Sequence, residues 1–118
     1  MARHIDLGRR GEGLAADYLT SAGHRVLDRN WRCPRGELDL VTLDRGEVVA
    51  VEVKTRTSLA LGHPFEAIDR RKLERVYRLG WDWCAAHGMA AARLRVDAVA
   101  VITASGRRPV IEHLEGVR

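Results

Sequence analysis

Residues 36–55 are the segment that most constrains how this chain can fold. The segment reads GELDLVTLDRGEVVAVEVKT, with aliphatic and β-branched runs at 38–43 and 48–53 on either side of DRGE. Such runs favour strands, and the Arg45-Gly46 centre suits a two-residue turn. The segment therefore predicts an antiparallel β-hairpin whose register is set by its turn.

The predicted register brings charged side chains together. With a two-residue turn, Asp39 lies opposite Glu52. The same register places Glu37 opposite Lys54. Residues two apart share one face of a strand, so all four side chains project from the same side of the sheet. The opposite, hydrophobic side is expected to consist of Leu38, Leu40, Val49, Val51 and Val53.

Two carboxylates that face each other across a strand pair repel, so this pair needs compensation. Either protonation of one acid or a divalent cation would relieve the repulsion, and carboxylate oxygens suit Mg²⁺ or Mn²⁺. Such a cation would be held by Asp39, Glu52 and the backbone carbonyl of Val53. Lys54 would then orient a water or a phosphate. The residues alone are equally compatible with a solvated polar face, on which Glu52 and Lys54 form an exposed ion pair.

The remaining periodic segments complete the predicted architecture. An amphipathic helix is predicted over residues 6–22, with Gly23 as its natural stop. A longer helix is predicted over residues 65–87 and ends before Gly88. Further strands are expected at 24–31, 94–102 and 109–114. This order predicts an α/β fold with a mixed sheet flanked by helices, and residues 1–118 are expected to form a single domain.

The first predicted helix carries an acid and three glycines. Glu12 lies at the flank of the apolar arc, where a carboxylate can lean toward the sheet and join the acids of the hairpin. Gly8, Gly11 and Gly13 lower the helix propensity of this segment. A close approach of the helix backbone to the sheet or to a phosphate would compensate for that cost.

The balance of charge favours a polyanionic partner. Lys and Arg number 20 against 16 Asp and Glu, which gives a net charge of +4. Nucleic acid is therefore the leading class of partner, although a mildly basic protein that binds no polyanion is equally compatible with this charge. The candidates for contacts with a nucleic-acid backbone are Arg56, Arg70, Arg71 and Lys72.

Cysteine, histidine and apolar patterns argue against several other classes. Cys33 and Cys84 are far apart and belong to no disulfide or zinc motif, which favours a reducing cytoplasm. No apolar stretch has the length of a signal-peptide core or a membrane span, so no contact with a membrane is expected. Asp97 is expected to be structural, paired with Arg95 or a turn amide. Surface positions are expected for His4, His24, His63, His87 and His113, because their spacing suits no metal motif.

Short motifs along most of the chain resemble those of a known family. The chain resembles the YraN-like family of small bacterial proteins in the segments GEGLAADYL, RNW, GELDLV, VEVKTR and GHPFEAI, and in Lys72. That family is similar to compact nucleases of the PD-(D/E)xK superfamily, with a restriction-endonuclease-like fold, and to archaeal Holliday junction resolvases. The resemblance therefore implies the element order α-β-β-β-α-β-β and a Mg²⁺ or Mn²⁺ cofactor.

The resemblance also implies roles for individual residues. It makes Glu12 the acidic residue of the first helix and Asp39 the aspartate of the motif. Glu52 and Lys54 correspond to its ExK half. Leu38 stands where the motif has the proline of its name, and this replacement leaves the neighbouring carboxylate in place.

Three hypotheses about function follow from the residues and the resemblance. The first is a Mg²⁺-dependent endonuclease that hydrolyses phosphodiester bonds in DNA, including branched or structured DNA. Asp39 and Glu52 would hold the metal, and Lys54 would assist the attacking water. The second is a non-catalytic nucleic-acid-binding module with the same fold, and the third is a protein-interaction domain. A monomer and a C2 homodimer are both compatible with the sequence.

Overall fold

The computed structural model describes residues 2–118, with side chains from Asp6 onward. The two α-helices are α1 (Ala2–Ser21) and α2 (Arg70–Ala86), and a short 3₁₀ helix spans Pro64–Ala67. The strands are β1 (Arg25–Cys33), β2 (Gly36–Asp44), β3 (Glu47–Arg56), β4 (Arg93–Ile102) and β5 (Val110–Leu114). The predicted α/β class and the order α-β-β-β-α-β-β are thereby confirmed. Neither α-helix among residues 2–118 combines the length and apolar character needed to cross a bilayer.

The five strands form one mixed sheet in which chain order equals spatial order. Strands β3 and β4 pair in parallel, and α2 lies in the connection between them. All other neighbouring strands pair antiparallel. A parallel pair requires such a crossover connection, and here it consists of a loop, the 3₁₀ helix and α2.

The β2–β3 hairpin has the predicted turn and the predicted register as far as Leu40 and Val51, but the expected pairs of Asp39 with Glu52 and of Glu37 with Lys54 do not form because the strands diverge there. Arg45 and Gly46 both have positive φ, of 50° and 79°, as a type I′ turn requires. Asp44 is therefore paired with Glu47, and the ladder runs in this register through several further pairs. The twist of this turn type matches that of the flanking strands, so the two-residue loop fixes the pairing without a bulge.

Each face of the sheet is covered by one helix. On one face, Ala15, Ala16 and Leu19 of α1 belong to a buried cluster with the β2 and β3 residues Leu40, Val49, Val51 and Val53. On the other face, Val76, Leu79 and Trp83 of α2 belong to a cluster with Leu38, Val41, Val48 and Ala50. The prediction that Leu38 and Leu40 share one hydrophobic side was therefore wrong. Regular alternation along β2 breaks at Asp39, and apolar side chains of the hairpin fill both faces.

One glycine allows α1 to approach the sheet closely. A Cβ placed on Gly11 would collide with the side chain of Thr55 on β3. Gly8 and Gly13 have nothing within 4 Å of such an atom, so only one of the three glycines has the expected close contact. The approach of Gly11 brings the neighbouring turn of α1, including Glu12, close to the end of β3.

Helix α2 begins later than predicted. Asp69 is its N-cap, and its side chain accepts a hydrogen bond from the backbone N–H of Lys72 at 2.8 Å. An aspartate at this position satisfies an amide that would otherwise lack an intrahelical partner, so it sets the first turn. The preceding Pro64–Ala67 turn is a separate 3₁₀ helix, and Gly88 follows the end of α2 with a φ of 69°, as expected.

Candidate functional site

Strands β2 and β3 separate from each other at one end of the hairpin. Their ladder ends at the pair Leu40 and Val51. Before Leu40, β2 continues only with β1, down to Gly36. After Val51, β3 continues only with β4, up to Arg56. We call this divergence beyond Leu40 and Val51 the fork; Asp39 and Glu52 are the first residues beyond it.

A cavity of about 290 Å³ opens at the fork. Four acids, two cations and two apolar residues line it, and they come from both helices as well as from the hairpin. They are Glu12, Glu37, Asp39, Glu52, Lys72, Arg75, Val76 and Leu79. We call this the acidic cavity. It collects the predicted acids Glu12, Asp39 and Glu52 in one place.

Asp39 is the central acid of this cavity. Its Oδ2 accepts a hydrogen bond from the backbone N–H of Val53 at 2.8 Å, although no ladder pair joins the strands here. Burial, together with the charges of Glu52 and Glu12, raises the pKa of Asp39 to about 7 against the opposing effect of the Val53 amide. The expected repulsion between opposed carboxylates is thus present at the fork. The predicted role of the Val53 carbonyl as a metal ligand stays a prediction.

Asn30 links the acids of α1 and β2 and was not anticipated as a site residue. With its amide nitrogen toward the acids, Asn30 donates to Glu12 Oε1 at 2.9 Å and to Glu37 Oε1 at 3.3 Å. Burial and the charge of Glu37 raise the pKa of Glu12, while the Asn30 bond opposes that rise. Asn30 has a φ of 51°, a conformation that asparagine tolerates better than most residues. The only signal in the sequence is the RNW segment itself.

Two lysines share a single oxygen of Glu52. Lys54 Nζ lies 3.4 Å and Lys72 Nζ 3.1 Å from Glu52 Oε1. Burial and the neighbouring Lys72 lower the pKa of Lys54, against the attraction of Glu52. The ammonium of Lys72 therefore lies beside Glu52, and its predicted contact with a nucleic-acid backbone stays a prediction. The Asp69 cap holds the first turn of α2, and with it Lys72, against the fork.

The arginines predicted to bind phosphate lie at different places. Arg70 and Arg71 are exposed at the start of α2, and Arg70 lines a separate cavity of about 500 Å³ together with Tyr77. Arg56 is half-buried, and its Nη1 donates to the carbonyl of its neighbour in β3 at 3.0 Å. Arg75 is the arginine of α2 that lines the acidic cavity. Contacts between Arg56, Arg70 or Arg71 and a nucleic acid stay predictions.

A second polar cluster lies beside the hairpin turn. Asp97 is fully buried and accepts hydrogen bonds from Arg95 and from the backbone N–H of Gly116, which confirms the predicted pairing with Arg95 or a turn amide. Hydrogen bonds from His113, Arg95 and Gly116 outweigh the effect of burial and lower the pKa of Asp97 to about 2. The surface position expected for His24 was wrong, because that ring is buried and its pKa is lowered by burial.

Three residues of this cluster could hold a metal ion. His24, Asp97 and His113 each offer one ligand atom, and these atoms all lie within 4.8 Å of one another. Spacing in the sequence could not indicate this group, because its members are 73 and 16 positions apart and meet only through the sheet. His63 and His87 lie elsewhere, and the side chain of His4 is outside the described residues.

Comparison with known proteins identifies the family. The model of the uncharacterised protein family UPF0102 matches residues 11–101 of this chain. The chain belongs to this family. It is the YraN-like family that the sequence motifs resemble, and its matched range includes every residue that lines the acidic cavity.

Curated relatives match over nearly their whole length. A UPF0102 protein of Paenarthrobacter aurescens strain TC1 is 54% identical over 111 residues, covering 94% of this chain and 92% of the relative. One from Arthrobacter sp. strain FB24 is 55% identical over 111 residues, with 94% of each chain covered. One from Renibacterium salmoninarum is 50% identical over 117 residues, with 99% of each chain covered. These three relatives and this chain therefore align over nearly their whole length.

Proposed function

We propose that this member of UPF0102 is a metal-dependent endonuclease that hydrolyses phosphodiester bonds in DNA. The observation that carries the proposal is the group of carboxylates at the fork, where burial and the charges of Glu52 and Glu12 raise the pKa of Asp39 to about 7. A protein gains no stability from such an arrangement, because ionisation of a buried acid beside Glu52 costs free energy. Strongly perturbed acids in a cavity are typical of functional sites.

The environment of the lysine and glutamate argues against a solvated polar face. The side chain of Glu52 is 13% exposed and that of Lys54 is 20% exposed. An ion pair on a solvated sheet face would be largely accessible and would contribute little to stability. Here the pair lies beside a second acid and a second lysine, Asp39 and Lys72, and all of them are at least partly buried. The polar group is therefore part of a built cavity.

The residues of the acidic cavity fit a magnesium or manganese ion. Carboxylate oxygens are the ligands that these hard cations prefer, and Asp39, Glu52 and the carbonyl of Val53 would hold the ion. Glu12, joined to the group through the Asn30 amide, would support it from α1. When bound, the ion supplies Lewis-acid polarisation of a phosphoryl oxygen and an acidified water.

The cationic side chains have separate tasks in this proposal. Lys54, whose pKa is lowered by burial and by Lys72, would orient the attacking water by donating a hydrogen bond to its oxygen. Lys72 and Arg75 line the cavity from α2, where they would stabilise negative charge on the phosphate. Arg56, Arg70 and Arg71 would contact neighbouring phosphates without reading the sequence.

DNA is the proposed substrate because of charge and likeness. The net charge of +4 favours a polyanion, and the motif residues resemble those of nucleases that act on branched DNA. The cytoplasm is the proposed location, in keeping with two cysteines that are both free thiols. A homodimer would present two acidic cavities to the two strands of a junction.

Cleavage assays with matched variants test the proposal. The purified protein would be incubated with Mg²⁺ or Mn²⁺ and linear, nicked, flapped and four-way DNA substrates. We expect cleavage by the wild type, loss of cleavage in Asp39→Asn and Glu52→Gln, and full activity in the control Asp17→Asn on the exposed side of α1. Cleavage that persists in both cavity variants would remove the assigned site. Metal-independent binding without cleavage would favour the non-catalytic module.

A further inference from the structure

The His24, Asp97 and His113 group lies away from the acidic cavity. His24 precedes β1, Asp97 is in the middle of β4, and His113 is in β5. The group adjoins Asp44, since His24 Nε2 lies 3.5 Å from Asp44 Oδ2. Asp44 and Asp39 are five positions apart on β2, which is about 17 Å of extended strand. The two groups therefore cannot share one ligand ion.

The charged side chains in and around this group carry more negative than positive charge. Arg95 is the central cation, with Nη2 2.9 Å from Asp44 Oδ2 and Nε 2.9 Å from Asp97 Oδ1. Four carboxylates in all face two guanidiniums. The carboxylates are those of Asp44, Glu47, Asp97 and Glu115, and the guanidiniums are those of Arg45 and Arg95. With neutral imidazoles, two negative charges remain, which is the charge that one divalent cation would balance.

A contact with Thr42 orients the imidazole of His24. Its Nδ1 lies 2.7 Å from Thr42 Oγ1, and both residues are buried. In the tautomer in which Nδ1–H donates to this hydroxyl, Nε2 is unprotonated and able to bind a metal, as at most histidine metal sites. The other nitrogen, Nε2, lies on the side of Asp44. His113 Nε2 faces the same group, 2.7 Å from Asp97 Oδ2.

A third cavity opens beside the two histidines of this group. The cavity measures about 550 Å³, and its walls include His24, His113, Asp44 and Tyr18. An ion could enter by this route, and a water could complete its coordination. Buried polar networks that serve only as structure need no such access, so the cavity is a second observation in favour of a ligand.

We propose that His24, Asp97 and His113 bind a zinc ion, with a water from the cavity as the fourth ligand. Two imidazole nitrogens and one carboxylate oxygen form a ligand set that suits zinc, whereas magnesium prefers oxygen alone. The ion would tie the segment between α1 and β1 to strand β4 and to the short edge strand β5. The alternative is a metal-free network, in which His113 and Asp97 interact directly.

Zinc titration of the metal-free protein tests the proposal. Protein dialysed against a chelator would be titrated with zinc in competition with a chromophoric chelator. We expect one site per chain, with affinity lowered at least 100-fold in His113→Gln and His24→Gln. Thr42→Val keeps the volume of the side chain but removes the oxygen that orients His24, so we expect roughly a 10- to 100-fold loss.

Matched variants separate this site from other histidines and from the fork. His63→Gln and His87→Gln alter histidines outside the group and should leave zinc affinity unchanged. Asp39→Asn should also leave it unchanged, so failure of the zinc site and failure of the endonuclease proposal are distinguishable. Circular dichroism of each variant without metal checks that the loss is not unfolding.

X-ray absorption at the zinc edge gives a readout that needs no variant. The proposal expects two nitrogen ligands and two oxygen ligands on the wild-type protein. An all-oxygen shell would overturn it, as would zinc affinity no tighter than millimolar. Binding that survives both histidine substitutions would overturn it as well.

Discussion

The Oδ2 atom of Asp39 accepts a hydrogen bond from the backbone N–H of Val53 at 2.8 Å, across the point where β2 and β3 stop pairing. The side chain therefore takes the place of a ladder hydrogen bond at the fork. This contact holds a buried carboxylate next to Glu52, whose charge raises the pKa of Asp39. The divergence of the two strands therefore explains both the position of the Asp39 carboxylate and its raised pKa.

The first prediction concerns the stability of the metal-free protein above pH 4. The pKa of Asp39 rises from 3.8 to about 7 on folding. An acid whose pKa is raised on folding binds its proton more tightly in the folded state. The stability of the protein therefore falls as the pH rises from about 4 to 7 and then stays level. At 1.36 kcal/mol per unit, the loss is at most about 4 kcal/mol. Urea unfolding at pH 5 and pH 8 with a chelator present measures it.

The variant Asp39→Asn is the control for this prediction. Asparagine can accept the same hydrogen bond from Val53 but does not ionise. We expect the variant to lose less stability than the wild type between pH 5 and pH 8. If the two proteins lost equal stability between pH 5 and pH 8, ionisation of Asp39 would not be the cause of that loss.

The second prediction concerns added magnesium at pH 8. An ion that binds only the folded protein stabilises it by mass action, by about 2.7 kcal/mol at 100 times its dissociation constant. We expect MgCl₂ to raise the thermal unfolding temperature of the wild type and to raise that of Asp39→Asn much less. NaCl at matched ionic strength controls for screening, and an equal shift in both proteins would contradict a metal site at Asp39.

The third prediction separates Lys72 from the exposed arginines of α2. Lys72 contacts Glu52 in the acidic cavity, so Lys72→Gln should lower the cleavage rate at saturating DNA by roughly 100-fold. Arg71 is exposed, so Arg71→Gln should leave that rate unchanged and reduce the salt dependence of DNA binding by about one phosphate contact. The measurements are single-turnover cleavage and binding from 50 to 200 mM salt. Reversed effects of the two substitutions would refute the assignment.

The hairpin register could be predicted because local chemistry alone determines it. A glycine at the second turn position permits the type I′ geometry, and the turn then fixes each later pair through Leu40 and Val51. The grouping of Asp39 with Glu52 follows from that register. Both faces of the hairpin are covered by helices, however, so the alternation rule could not say where the apolar side ends.

The remaining members of the two polar groups are distant in sequence. Lys72 reaches Glu52 because the Asp69 cap, which breaks the predicted long helix, sets the position of α2. His24 and His113 meet through the order of strands, which no single segment contains. These placements are tertiary, so a propensity or a spacing in the sequence could not indicate them.

The fourth prediction concerns the glycine that seats α1. Gly11→Ala places a methyl group against the side chain of Thr55, so we expect a loss of about 1–3 kcal/mol in the free energy of unfolding. Gly13→Ala has open space around the new atom and should instead stabilise the helix by up to about 1 kcal/mol. Adding Thr55→Ala to Gly11→Ala should recover part of the loss. Chemical denaturation measures all three, and equal effects of the two glycine substitutions would contradict the close approach.

The fifth prediction concerns acid unfolding through Asp97. Its pKa is lowered from 3.8 to about 2 by partners that hold its charged form, so its contribution is complete above about pH 4 and is lost as pH falls toward 2. The difference between these two pKa values corresponds to roughly 2 kcal/mol in the free energy of unfolding. Asp97→Asn leaves the buried Arg95 with a weaker partner, so we expect it to lower stability at pH 7 by about 3–5 kcal/mol. The variant should also unfold with a shallower dependence on pH between 4 and 2, measured on metal-free protein by urea denaturation. If the pH dependence of unfolding between pH 4 and pH 2 were unchanged in Asp97→Asn, other acids would be responsible for unfolding at low pH. The exposed Asp17→Asn is the control.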